Sequence, residues 1–142
     1  MKRILTMIMA ALFCLGFNAN AQRNVKKTTT INKIASARAG DVHLAERSGI
    51  YFLILRSSNQ FDKPFLLYLG EGKSAATQTL QDLQSVCDSI DESETMTIDN
   101  RGKDVRIRRG QEDSIVFHTD GFAGSMFITK AELNELLGAM AE

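Results

Sequence analysis

The sequence predicts an α+β domain, an antiparallel sheet of about six or seven strands with two helices packed on it. Three observations lead there. From Asp41 onward, short apolar runs are separated by turn residues. Two longer segments, Ala75 to about Ile90 and the stretch after Thr129, repeat apolar residues at three- and four-residue steps. Each half of the chain then reads as several strands followed by a capped helix of similar size, although the halves share little residue identity and so suggest a duplicated unit only weakly.

Val42 to Glu46 alternates weakly, and Arg47-Ser48-Gly49 breaks it ahead of Ile50 to Leu55, which predicts a hairpin. The break from Ser57 to Lys63 leads to Pro64, where a strand over Phe65 to Leu69 can begin without losing a ladder hydrogen bond. Tyr51 to Leu55 and Phe65 to Leu69 are apolar at consecutive positions, which point to opposite faces of a strand. Both strands are therefore expected centrally, with both faces covered. Ser74 is the expected N-cap of the first helix, its hydroxyl accepting from an unpaired first-turn N–H. Ala76, Leu80, Leu83, Cys87 and Ile90 form its core stripe. The carboxylates Asp88, Asp91, Glu92 and Glu94 oppose the negative end of the helix dipole, so the helix should stop near Ile90.

Met96 and Ile98 alternate with Thr95, Thr97 and Asp99; Asn100-Arg101-Gly102 is a turn; Val105 and Ile107 alternate with Arg106 and Arg108. Ser114 to His118 follows Gly110 to Asp113, and Ser125 to Ile128 is a last strand after Asp120-Gly121 and Gly124. These are half-exposed antiparallel strands. Thr129-Lys130-Ala131-Glu132 is a capping box, and Leu133, Leu136, Leu137 and Met140 are the buried stripe of the terminal helix.

Ahead of these elements lies a different kind of segment. Lys2 and Arg3, the apolar run Ile4 to Phe17 and the small-x-small triplet Ala19-Asn20-Ala21 are the three parts of a secretory signal peptide. The leader resembles bacterial export signals, which implies an exported protein, periplasmic or extracellular, with residues 1–21 removed and Gln22 as the first residue. At about fourteen residues the run is shorter than the roughly 20 that span a bilayer, so no transmembrane segment is expected after processing. Cys14 raises a lipoprotein alternative, disfavoured because Phe13 stands where a small residue normally precedes the lipidated cysteine.

The whole chain has 17 basic and 17 acidic side chains, so loss of Lys2 and Arg3 leaves a net charge of −2. Residues 22–40 hold Arg23, Lys26, Lys27, Lys33 and Arg38 with no acid, a basic and partly disordered leader ahead of an acidic single domain over residues 41–142. That leader is either solvated or an electrostatic arm. One cysteine, Cys87, remains after processing, so no disulfide framework is expected and the core must hold the domain together.

No catalytic constellation emerges. Gly72-Lys73-Ser74 lacks the first glycine of a phosphate-binding loop, since Leu67 stands in its place. Cys87, His118 and Asp120 are the residue types of a thiol nucleophile with its base and acid, but Cys87 falls on an apolar helix stripe, where a thiolate is suppressed. His43 and His118 supply no metal-ligand spacing. The acidic cluster after the first helix lacks the alternation and central glycine of a calcium loop. Ser125 lacks the flanks of a nucleophile elbow. No cofactor, metal or catalytic residue is assigned.

Arg101, Lys103, Arg106, Arg108 and Arg109 are the densest positive group in the body. Strand geometry puts Arg106 and Arg108 on one exposed face and Arg109 on the other. They either pair with acids across the sheet or make an anion-binding strip of Arg106, Arg108, Arg101 and Lys103. The expected function is a non-enzymatic binding or interaction module whose candidate partners are an anionic glycan or an anionic protein surface, with homo-oligomerisation open. A small secreted hydrolase-like enzyme with a site assembled from distant residues and a structural envelope protein are the alternatives. Nucleic acid is a poor partner for an exported, acidic body.

Overall fold

A computed structural model describes residues 30–142. The expected export signal, with Cys14, and Arg23 to Lys27 lie outside the described residues. Among the described residues there are eight strands, one more than the upper expectation, and they form two sheets where one was expected. The first sheet runs β1 (Asn32–Ala37), β2 (Val42–Arg47), β3 (Ile50–Leu55), β4 (Phe65–Glu71) in spatial order, and is followed by α1 (Lys73–Ser89). The second runs β5 (Thr95–Asp99), β6 (Asp104–Arg109), β7 (Ser114–His118), β8 (Met126–Thr129), and is followed by α2 (Lys130–Ala141). Both are antiparallel meanders, so the class is α+β and each half is four strands and a helix.

The extra strand is β1, inside the stretch expected as a basic leader. Its register against β2 shifts between Lys33 and Ala35, a bulge that breaks the period-two pattern by which a strand is recognised. A second difference concerns β3 and β4. β3 is interior, but β4 is the end strand of its sheet, and among the described residues no element covers the outward face of either. The apolar residues at consecutive positions split between faces as expected: Leu53, Leu55, Phe65, Leu67 and Leu69 are buried inward, whereas Leu66 is 52% exposed.

One hydrophobic core joins the halves. The inward faces of both sheets meet the α1 stripe of Ala76, Leu80, Leu83 and Cys87 and the α2 stripe of Leu133, Leu136 and Met140. Ile90, the C-cap of α1, is buried with them. Phe65 of the first sheet packs on Phe117 of the second with ring centroids 6.2 Å apart. The start of α1 corrects the expected cap: Gly72 is the N-cap, Ser74 lies within the first turn, and no side chain caps the helix. α2 begins as expected, with the Thr129 hydroxyl accepting from the Glu132 N–H and the Glu132 carboxylate accepting from the Thr129 N–H. Cys87 is buried, and burial, aided by the Asp88 charge, pushes its thiol up to about 11.

The halves are also locked through side chains that serve as edge partners. Asn100, in the β5–β6 turn, accepts from the Tyr68 N–H at 2.9 Å and donates to the Leu66 carbonyl at 3.0 Å, closing the free edge of β4. Arg38, in the β1–β2 turn, donates to the Phe127 carbonyl of β8 at 3.1 Å and pairs with Glu132 at 2.6 Å. The β3–β4 and β7–β8 loops meet in the same reciprocal way. Asp62 accepts from the Gly124 N–H at 3.0 Å, the Ser58 N–H donates to the Ser125 carbonyl at 2.9 Å, and a Cβ on Gly124 would lie 2.2 Å from the Ser57 hydroxyl.

Candidate binding face

The outward face of the second sheet is built by register. Thr95 pairs with Arg108, Arg108 with Val116, and Val116 with Phe127, giving one row; Thr97, Arg106 and His118 give the next. Successive residues of β6 alternate between core and solvent, so Val105 and Ile107 are fully buried while Arg106 and Arg108 are exposed. Asp104 and Asp120 stand near Arg106 on this face, but direct ion pairing of the two arginines is sparse. Arg108 makes no ion pair among the described residues, and Arg106 reaches the fully exposed Asp120 carboxylate only at 3.9 Å. Such an exposed pair contributes about 0 to 1 kcal/mol.

His118 is half-buried beside the two arginines. Burial first, then the positive charges of Arg108 and Arg106, hold its pKa below the ordinary 6.5, so the ring is predominantly neutral near pH 7. Thr97, Asp104, Arg106, His118, Thr119 and Asp120 surround an open depression of about 280 Å³. A second, about 380 Å³, lies further across the sheet against Val116, Phe127 and Ser114. Both are grooves on a sheet face.

The four predicted binding residues do not form one cluster. Arg106 and Arg108 stand together. Arg101 occupies the β5–β6 turn, with φ 55° ahead of Gly102 at φ 82°, and its guanidinium lies over the Tyr68 ring of the first sheet, 5.1 Å from the centroid. Lys103 precedes β6 at an odd position in the alternation, off the Arg106–Arg108 face. Arg109 turns away as expected, donating to the Ile90 carbonyl at 3.1 Å and so satisfying the C-terminal end of α1. Cys87, His118 and Asp120 are not a triad: the thiol is in the core, while His118 is on the opposite face of its sheet from the buried Phe117.

Sequence reasoning missed two features. Arg38, placed in the leader, stacks 3.7 Å over the Phe127 ring and holds Glu132. Burial opposes ionisation of Glu132, but the hydrogen bonds from Arg38 and Thr129 prevail and keep its carboxyl below the usual range. No local pattern marks this contact, whose partners lie 94 residues apart. The other feature is the outward face of the first sheet, where Phe52, Ile54, Leu66 and Tyr68 form an apolar patch bordered by Lys33, Arg47 and Arg101. The consecutive apolar residues of β3 and β4 were the signal for it.

Among the described residues, no group of three or more metal-ligating side chains gathers, and no helix is long and apolar enough to cross a membrane. No family model, no curated protein and no solved structure matches this chain.

Proposed function

We propose that this is an exported, non-enzymatic binding module, periplasmic or extracellular, that takes an anionic partner on the outward face of its second sheet. The observation that carries the reading is the pair Arg106 and Arg108, exposed side by side, with no ion pair at Arg108 among the described residues and only a 3.9 Å one at Arg106. Two guanidinium groups on alternate residues of a strand stand roughly 7 Å apart, a spacing suited to successive carboxylates or sulfates. Open sheet faces, one apolar and one carrying the arginine pair, support binding rather than turnover, which favours enclosed sites with convergent polar groups. Arg101 and Lys103 belong to the margin of this surface and add long-range attraction rather than direct contact.

The test is retention on immobilised polyglutamate and on a sulfated glycan. The double change Arg106→Ser, Arg108→Ser should elute at clearly lower salt than the parent while melting at nearly the same temperature, because exposed charges contribute little to stability. Unchanged elution from both matrices would remove the arginine face from the proposal.

A further inference from the structure

We infer that the free edge of β5 is a docking edge for an extended acidic peptide, which adds as a ninth strand and presents its carboxylates to Arg106 and Arg108. The inference rests on the anionic-partner reading for the identity of the charge, and adds where and in what conformation the partner binds.

The backbone of β5 supplies the first argument. The Asn100 N–H donates to the Lys103 carbonyl at 2.8 Å, closing a two-residue turn. From that closing pair the antiparallel ladder alternates. Ile98 and Met96 therefore exchange bonds with Val105 and Ile107, while Thr95, Thr97 and Asp99 aim their N–H and C=O groups away from β6. Among the described residues these outward groups have no backbone partner. The other three sheet edges differ: Asn100 closes β4, Arg38 reaches β8, and α2 lies against β1. β5 also lacks the lysines and prolines that usually guard an open edge.

The side chains supply the second. A strand added at the usual spacing of about 4.8 Å would continue three outward rows, those of Thr95 with Arg108, Thr97 with Arg106, and Asp99 with Asp104. Thr95 and Thr97 are short, so the two arginines, roughly 10 Å from the added strand, meet a glutamate reaching back over them. The Asp99–Asp104 row asks for a cation instead. On the inward side Met96, 41% exposed, and half-buried Ile98 would be covered by apolar residues between the charged ones. An antiparallel occupant consequently reads, from its N-terminus, base, apolar, acid, apolar, acid. A second copy of this chain is the weaker occupant, because pairing β5 with β5 brings in Arg106 and Arg108 again without the carboxylates they lack. Strand addition of this kind draws affinity from the backbone and selectivity from alternate side chains.

The probe is a synthetic peptide, acetylated and amidated, of order lysine, valine, glutamate, valine, glutamate between serines, titrated into the protein and followed by amide NMR and hydrogen exchange. Binding should slow exchange at Thr95, Thr97 and Asp99 and should weaken as salt rises. Thr97→Pro removes an N–H that points outward, a change an edge strand tolerates, so it should keep wild-type melting and bind at least about tenfold more weakly. Backbone N-methylation of the peptide on the side facing β5 should abolish binding without altering the protein, which covers the case in which the proline variant does not fold. Arg106→Ser, Arg108→Ser should weaken binding and flatten its salt dependence. Binding that survives both Thr97→Pro and N-methylation but falls in the arginine variant overturns the edge while leaving the anionic-partner reading intact. Binding indifferent to the arginines and to glutamine in place of glutamate overturns the charge pattern, and with it that reading. Dimerisation in the ultracentrifuge that the peptide cannot reverse assigns the edge to a second copy and overturns the inference.

Discussion

The outward row through the first sheet holds Lys33, Ala45, Phe52 and Tyr68; the corresponding row through the second holds Thr95, Arg108, Val116 and Phe127. The next rows contrast in the same way, with His43, Ile54 and Leu66 against Thr97, Arg106 and His118. Both sheets serve the core alike from their inward faces. Their outward faces differ: both lie open, but one is apolar, with Ala45 0% exposed among its larger neighbours and Leu66 52% exposed, while the other carries the exposed Arg106 and Arg108. The first of these rows in each sheet ends in an aromatic residue under a guanidinium from the other half, Arg101 over Tyr68 and Arg38 over Phe127. Features that join the halves are thus shared, and features that face outward are not, because only the former are constrained by packing between the halves.

Writing one face into the other gives the largest expected effect. Ala45→Arg places on the first sheet what Arg108 is on the second, and it should destabilise by about 3 kcal/mol, since a long side chain must overpack a site where alanine is already 0% exposed. Arg108→Ala, the reverse change, should stay within about 0.5 kcal/mol. Urea unfolding of the two variants checks this, and comparable values would mean that the faces do not differ in packing.

The cross-half contacts come next. Arg38→Ala removes the Glu132 pair, the bond to the Phe127 carbonyl and the ring stacking together, and should cost about 2 to 3 kcal/mol. Asn100→Ala removes two hydrogen bonds from an exposed edge, with an expected loss of about 1 kcal/mol. A larger loss at Asn100 than at Arg38 would reverse the ranking of the two locks. Glu132 adds a pH signature. Its folded pKa lies below the ordinary 4.5, so its contribution is complete above pH 4.5 and is lost as pH falls through the folded value. Melting temperatures across pH 3 to 6 should show a shallower acid slope in Arg38→Ala than in the parent.

Smaller still are the effects on reactivity and titration. Cys87 should label slowly with a thiol reagent in buffer and quickly in denaturant, because it is buried and its thiolate is suppressed. Fast native labelling would place the thiol outside the core. His118 should titrate below 6.5 by NMR, and Arg106→Ser, Arg108→Ser should move it only part of the way back, since burial is the larger cause. A complete return to 6.5 would show that the arginines alone depress it.

The elements with an unbroken period were legible along the chain. β7 over Ser114 to His118, the α1 stripe through Leu80 and Leu83, and the Thr129–Glu132 capping box each depend on neighbours within a few residues, so their signals are local. β1 was not legible, because a bulge interrupts its alternation. The Ser74 cap was misplaced by two residues, because a serine near a helix start is permitted but not required to cap it. For the candidate face, strand alternation was enough to place Arg106 and Arg108 together, and not enough to say whether distant acids would neutralise them.

Periodicity and caps act over one or two turns of chain, and they already specify the class, the helices and most strands, the inward residues, and the outward direction of Arg106 and Arg108. Long-range packing settled the rest: the strands divide into two sheets, Asn100 and Arg38 close edges belonging to the other half, and the apolar outward face of β3 and β4 lies open while β5 keeps a free edge. Those outcomes depend on contacts between residues tens of positions apart, and a packing choice of that range leaves no periodic mark in either segment it joins.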